Sequence, residues 1–369
     1  MNFEFSDEQQ ELRNQARHFF ADRCPPAAVR RVLDGEAPYD RTLWGGMAEM
    51  GFLGIVVPEK YGGLGLGYLE LCVVAEEIGR AVAPVPFSSA VYLATELLLQ
   101  AGSDEQKSRW LPGLATGEAI GTFALAETAG AVTPGTIEST IRDGRFYGLK
   151  PCVADGSIAD FAIVAGQGNA GLSLALVELG ASAVNRTIVE TIDPSRDHSR
   201  LEFSGAPAEL LGQPGQAWEL IRNTFDRAAI LMAFEQIGGA DTTIAMGRDY
   251  AIERMAFGRQ IGSFQAIKHM LANMFVAATL ARSNAYYGAW ALSSGAAELP
   301  QAAATARVSA TRAYQQCALN NIQVHGGMGF TWELDCHLHY RRSNLLALAL
   351  GGPSEWEGKL IDRLEAVAA

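Results

Sequence analysis

The sequence predicts an α+β fold in three parts: an N-terminal α-helical domain, a small central β-barrel or sandwich, and a C-terminal four-helix bundle. Helix-start signals and helical spacing crowd residues 1–118. Short β-branched or alternating segments with glycine and aspartate turns fill 119–210. From 211 to 369 the chain returns to long stretches of helical pattern, two of them over 30 residues without an internal proline.

Ser6-Asp7-Glu8-Gln9 is a capping box: the serine hydroxyl accepts from the third helical N–H and the glutamine reaches back. Leu12, Ala16 and Phe19 follow at helical spacing, and Cys24-Pro25-Pro26 stops the run. Asp40 caps a helix from Arg41 to Met50, closed by Gly51. Further helices are expected at Tyr68–Arg80 and Ser88–Gln100. A second capping box, Ser103–Gln106, starts a helix expected to close at Pro112. Strands are expected at 122–125, 135–141, 145–148, 161–165, 172–179 and 187–192, with a hairpin at Asp143-Gly144. The bundle helices are expected at 216–254, 263–294, 300–324 with Pro300 in the first turn, and from Ser354 onward.

Composition narrows the function. Apolar residues make up 49% and charged residues 19%, enough for large cores and unlike a disordered chain. Lys plus Arg number 29 and Asp plus Glu 41, so the net charge of −12 offers no general field for nucleic acid or anionic membrane. The five cysteines are scattered and never C-x-x-C, which points to a reducing compartment without a zinc site or disulfide framework. The first residues are polar and acidic rather than a secretory signal, and no apolar run spans a membrane. The expectation is a cytoplasmic enzyme or enzyme-like subunit.

Two motifs carry chemistry. Arg254-Met-Ala-Phe257-Gly-Arg-Gln-Ile-Gly-Ser-Phe-Gln265 sets a guanidinium, an apolar ring and an amide around a tight turn, a set suited to phosphate. Gln323-Val-His-Gly326-Gly327-Met-Gly-Phe330 places three glycines where backbone approaches a ligand. The glycines of Pro58-Glu-Lys-Tyr-Gly-Gly63 do not follow dinucleotide spacing, so no Rossmann fingerprint is read there. His337 and His339 point to different faces of a helix, against a shared metal. Tyr340-Arg341-Arg342 could meet CoA phosphates or an acidic neighbour, and reads first as a solvated basic face.

With the order helical domain, β domain and bundle, these motifs resemble the acyl-CoA dehydrogenase family of flavoproteins over almost the whole chain. Pro58–Gly63, Gly148-Leu149-Lys150 and Gly156-Ser-Ile-Ala-Asp160 resemble family loops as well. The resemblance implies FAD as cofactor, bound by Arg254, Phe257, Gln265, Gln323, Gly326 and Gly327, with Phe123 and Leu125 beside it in the β domain. It implies an acyl-CoA substrate, an electron-transfer flavoprotein or similar acceptor, and a homo- or heterotetramer. The implied reaction removes an α proton with a carboxylate while hydride leaves the β carbon, giving a trans-2-enoyl-CoA.

The chain departs from the family at its chemistry. Where many members carry the base, residues 347–354 read Ala-Leu-Ala-Leu-Gly-Gly-Pro-Ser and hold no carboxylate. Glu355 and Glu357 follow, expected as first-turn acids of the last helix. Other members carry the base on the first bundle helix, where Asp226-Arg227 stands two residues out of register, about 200° around a helix. Asp226 is the base candidate, against a surface ion pair as its plain reading, and Glu235 is a second acid that a core would bury. Glu127-Thr128-Ala129-Gly130 and Val153-Ala154-Asp155 replace family segments at the flavin ring. This pattern resembles divergent subunits that pair with a homologue in steroid side-chain, bile-acid or dicarboxylate degradation. Two readings stay open: a dehydrogenase for a bulky or dicarboxylic acyl-CoA, or a catalytically silent subunit that completes a partner's FAD site. Flavin-based nitro or N-hydroxyl chemistry is a third, and needs a carboxylate too.

Overall fold

The computed structural model describes residues 6–368, with side chains to 366. The first five residues, part of the segment read as no secretory leader, lie outside them. Eleven α-helices are described: α1 (Asp7–Arg23), α2 (Pro26–Leu33), α3 (Arg41–Glu49), α4 (Tyr68–Arg80), α5 (Glu96–Ala101), α6 (Asp104–Thr116), α7 (Ala217–Glu253), α8 (Gln265–Ser294), α9 (Leu299–His325), α10 (Cys336–Leu348) and α11 (Pro353–Ala368). Between α6 and α7 lie β1 (Gly121–Ala124), β2 (Thr140–Arg142), β3 (Arg145–Ala154), β4 (Phe161–Gly168), β5 (Gly171–Glu178), β6 (Val184–Ile188), β7 (His198–Pro207) and β8 (Glu209–Leu211). A hairpin of β9 (Met255–Ala256) and β10 (Arg259–Gln260) joins α7 to α8. The helical, sheet and helical succession is the one expected.

Both capping boxes form, at Ser6 and Ser103. Pro112 does not close its helix: α6 runs through it to Thr116 and ends on Gly117 at φ 71°. The proline gives up one N–H, and the helix continues past it to the left-handed glycine that caps it. The run expected at 88–100 is helical in two pieces, a π-helical stretch Ser88–Thr95 and then α5. Segment 135–141 gives a 3₁₀ turn before the short β2, and the strand expected at 187–192 lies earlier, as β6. The C-terminal part has a fifth helix, the short α10, besides the four expected.

The chain gathers into two compact units. One holds the residues up to Val29, Leu69–Ala83, and those from Ala229 on; the other holds Arg30–Tyr68 and Pro84–Ala228. In the second unit the strands form one sheet, ordered β6-β7-β3-β2-β4-β5-β8, with β1 pairing parallel to β4. Its end strands β6 and β8 do not pair among the described residues, so the expected barrel does not close. Asp143 and Gly144, at φ 50° and 66°, make the tight turn between β2 and β3, as their sequence signals. Phe161, Ile163, Val164, Leu174 and Leu176 are buried in this sheet, and Phe146 meets Phe203 edge-on at 4.9 Å.

The first unit is built on small residues. Ala281, Ala285 and Gly288 of α8, with Ala303, Ala306 and Ala310 of α9, are buried. A Cβ at Gly288 would already touch Ala306 at 3.5 Å. Across the α4–α7 crossing, a Cβ on Gly79 would lie 1.7 Å from the Glu235 carbonyl oxygen, and one on Gly238 would lie 1.8 Å from that of Glu76. Backbone meets backbone there, which only glycine permits. No helix among the described residues is long and apolar enough to cross a membrane.

Candidate functional site

In the first unit the two sequence motifs sit at helix ends that are tied together. Tyr250 near the end of α7 stacks on His325, the last residue of α9, with centroids 4.2 Å apart. Past Tyr250 the chain leaves α7 at Arg254 and turns through Phe257 and Gly258, both left-handed at φ 52° and 77°. A left-handed phenylalanine is costly, so the hairpin overrides its preference. The turn leaves Phe257 95% exposed. Arg254 and Gln265 are exposed, and neither side chain has a partner among the described residues. Gln265 opens α8, whose free N–H groups favour an anion.

Past His325 the chain bends at Gly326, φ 60° and ψ −137°, a backbone state reserved for glycine. A Cβ on Gly326 or Gly327 would meet nothing within 4 Å, whereas one on Gly329 would lie 2.4 Å from the Ile322 carbonyl oxygen. Packing explains Gly329. At Gly327 packing asks for nothing, and the bare backbone, beside the exposed Gln323, faces open space.

In the second unit Phe123 and Leu125 are buried at the end of β1, with the Phe123 ring edge-on to Phe225 of α7 at 6.0 Å. Fully buried Lys150 fastens the segment behind them. Its Nζ donates to the Leu125 carbonyl at 2.9 Å, the Ala165 carbonyl at 2.8 Å and Glu127 Oε1 at 2.6 Å. Burial pushes its pKa down to about 8 against the pull of Glu127. Glu127 also accepts from the backbone N–H groups of Glu138 and Ser139, so one ion pair shapes the whole loop after β1.

Asp226 is buried in α7 and is no surface acid. Its neighbour Arg227 places Nη1 2.9 Å from the Tyr68 hydroxyl and 3.3 Å from Glu96 Oε1. Sequence reasoning missed Glu96, although Glu96 and Gln100 at i,i+4 in an apolar run were a signal.

The bundle buries a further charge cluster. Arg342 is fully buried with Nη1 3.8 Å from Glu235 Oε1, which corrects the reading of residues 340–342 as a solvated face. Arg307, also missed, is buried in an alanine-rich stretch of α9 and donates through Nη2 to the carbonyls of Leu346 and Ala349. That clamp closes α10 ahead of a turn with Leu350 at φ 62° and Gly351 at φ 102°. A Cβ on Gly351 would lie 2.6 Å from Glu355 Oε2, so the Glu355 carboxylate fills the place of a side chain there. Glu355 stands in the first turn of α11, paired with Lys359 at 2.7 Å. His339 meets the Tyr314 hydroxyl at 3.0 Å and His337 the Trp332 carbonyl, so the two rings diverge.

The acyl-CoA dehydrogenase N-terminal domain model matches residues 6–118, and the C-terminal domain model matches residues 215–364. Acyl-CoA dehydrogenase IpdE2 of Mycobacterium tuberculosis is 34% identical over 350 residues, covering 95% of each chain. This chain belongs to the acyl-CoA dehydrogenase family. It is therefore an FAD-dependent oxidoreductase, as its motifs led one to expect. Among solved structures it is similar to a variant of the Tcur3481-Tcur3483 steroid ACAD, with TM-score 0.88, 30% identity, and 98% and 99% of the two chains covered. It is also similar to the ChsE4-ChsE5 complex from Mycobacterium tuberculosis, with TM-score 0.89, 26% identity and 99% of each chain covered.

The residues present suit FAD. An unpartnered guanidinium, a helix N-terminus, an unpartnered amide and a glycine turn open to space are donors for a pyrophosphate and room for a nucleotide.

Proposed function

We propose that this acyl-CoA dehydrogenase carries out α,β-dehydrogenation of a bulky, steroid-type or dicarboxylic acyl-CoA to the trans-2-enoyl-CoA. We place it in a tetramer of like or homologous chains. The observation that carries the reading is the exposed set Arg254, Phe257 and Gln265 beside the Gly326-Gly327 turn. Polar groups with no partner among the described residues, next to a 95% exposed ring, suit a phosphate site that a second chain completes. Gln323, Gly326 and Gly327 would border the adenosine half of FAD, and Phe123 and Leu125 the ring half. When bound, FAD accepts the hydride from the β carbon. This chain's part is to hold the thioester, exclude water and take the α proton. We assign the proton to Asp226, a carboxylate that α7 buries away from bulk water. The electrons then pass to an electron-transfer flavoprotein or a similar acceptor.

Steroid-type substrates are supported by the steroid ACAD among the similar structures, and pairing with a homologue by the ChsE4-ChsE5 complex. One observation favours the silent-subunit reading. Residues 347–354 hold no carboxylate of their own. Anaerobic mixing with acyl-CoA thioesters separates the readings. An active chain bleaches its flavin, and Asp226→Asn slows bleaching on the order of a hundredfold or more. Unchanged bleaching in that variant removes Asp226 as base. A parent chain that never bleaches alone supports the silent reading.

A further inference from the structure

Glu96 has no part in the chemistry above, yet it ties together more of its unit than any neighbouring side chain. It opens α5 directly after the π-helical stretch and is 3% exposed. Oε2 accepts from the Tyr68 hydroxyl at 2.7 Å. Oε1 accepts from Gln100 Nε2 at 2.7 Å and faces Arg227 Nη1 at 3.3 Å. Arg227 in turn donates through Nε to Asn223 Oδ1 at 3.1 Å, and Gln100 reaches Thr224 Oγ1 at 3.1 Å. Asn223, Thr224 and Arg227 all flank Asp226 on α7. A buried carboxylate is costly unless its bonds are met, and here the titratable groups facing it are Tyr68 from the start of α4 and Arg227 from α7.

Resting on the assignment of Asp226 as base, we infer that Glu96 is a positioning residue for it. Glu96 takes up the charge of Arg227 and fixes the turn of α7 that carries Asp226. The physical reason is charge balance. A guanidinium drawn onto Asp226 would lower its proton affinity by roughly 1–3 pK units, weakening the base tenfold or more. Glu96 gives Arg227 a partner at 3.3 Å, and its own oxygens accept from Tyr68 and Gln100. Burial, then the charge and hydrogen bond of Glu96, holds the Tyr68 phenol well above its usual range, against the pull of Arg227. Tyr68 therefore reports on the network without any flavin or substrate.

The test uses the full chain, with its partner chain if one is needed. α-Hydrogen exchange into deuterated water is followed by mass spectrometry on saturated acyl-CoA thioesters from butyryl-CoA to a steroid side-chain acyl-CoA. Alkaline tyrosine titration follows the network by ultraviolet difference absorbance. Glu96→Gln is expected to slow exchange on the order of tenfold, with Tyr68 titrating earlier than in the parent. Glu96→Asp should recover part of the rate. Earlier tyrosine titration with exchange at the parent rate would overturn the inference, since the network would be gone and the base unaffected. If Asp226→Asn exchanges normally, the base assignment falls and this inference with it. If Asp226→Asn is dead and Glu96→Gln is normal, only this inference falls. Should Glu96→Gln not fold, Tyr68→Phe loosens the same network with the carboxylate kept, and exchange at the parent rate there counts against it.

Discussion

Arg254 follows α7 with an exposed side chain that has no partner among the described residues. Arg254→Met should leave the melting temperature of the flavin-free chain unchanged and weaken FAD retention on the order of tenfold or more. Flavin release on ultrafiltration measures this, and full retention would remove Arg254 from the cofactor site. His339 makes a second prediction. Burial first, then the charges of Arg342 and Arg80, pushes its pKa down to about 3 from an ordinary 6.5. The folded value lies below the unfolded one, so the native state refuses a proton that the unfolded chain accepts. Stability is thus whole above pH 6.5 and is lost as pH falls toward 3, by about 2 kcal/mol at pH 5. Urea midpoints at pH 7 and pH 5 should differ more in the parent than in His339→Gln. The turns after Arg254 and at Gly326 were legible in sequence because glycine at those spacings breaks a helix. Glu96, Arg307 and Arg342 were not. A charge in an apolar run shows that it is buried only once its partner, far along the chain, is known.

Among the elements, α4 and α7 cross at Gly79 and Gly238 with carbonyl oxygens under 2 Å from where a Cβ would sit. Gly238→Ala must push the helices apart and should cost about 1–3 kcal/mol, read as a lower denaturant midpoint at unchanged m-value. An unchanged midpoint would mean that the crossing is not tight. Helix starts were legible at this scale, since Ser6, Asp40 and Ser103 each accept the N–H that their pattern implies. The sheet was less so. β7 alternates buried and exposed residues but carries His198, Arg200 and Glu202 on its outer face, and charge masked the period. β6, with one partly buried and four exposed residues, offers hardly any pattern and is placed by pairing with β7. Pro112 misled because a proline marks a probable and not a certain helix end, and α6 carries it to the glycine cap five residues on.

For the molecule as a whole, the outer face of α8 shows Phe275, Val276 and Leu280, each more than half exposed. Phe257 in the hairpin and Phe330 after the glycine turn are exposed as well. Burying this face against another chain would suit the proposal that a second chain completes the phosphate site at Arg254 and Gln265. The net charge of −12 argues against polyanions at large, and the proposed FAD site needs only a few placed donors for phosphate. The most direct measurement is size-exclusion chromatography with flavin absorbance, on the chain alone and after co-expression with a Glu-bearing homologue. The account predicts flavin only in a peak of several chains, and its loss from that peak in Arg254→Met. A yellow monomer, or a colourless chain in every assembly, would contradict it.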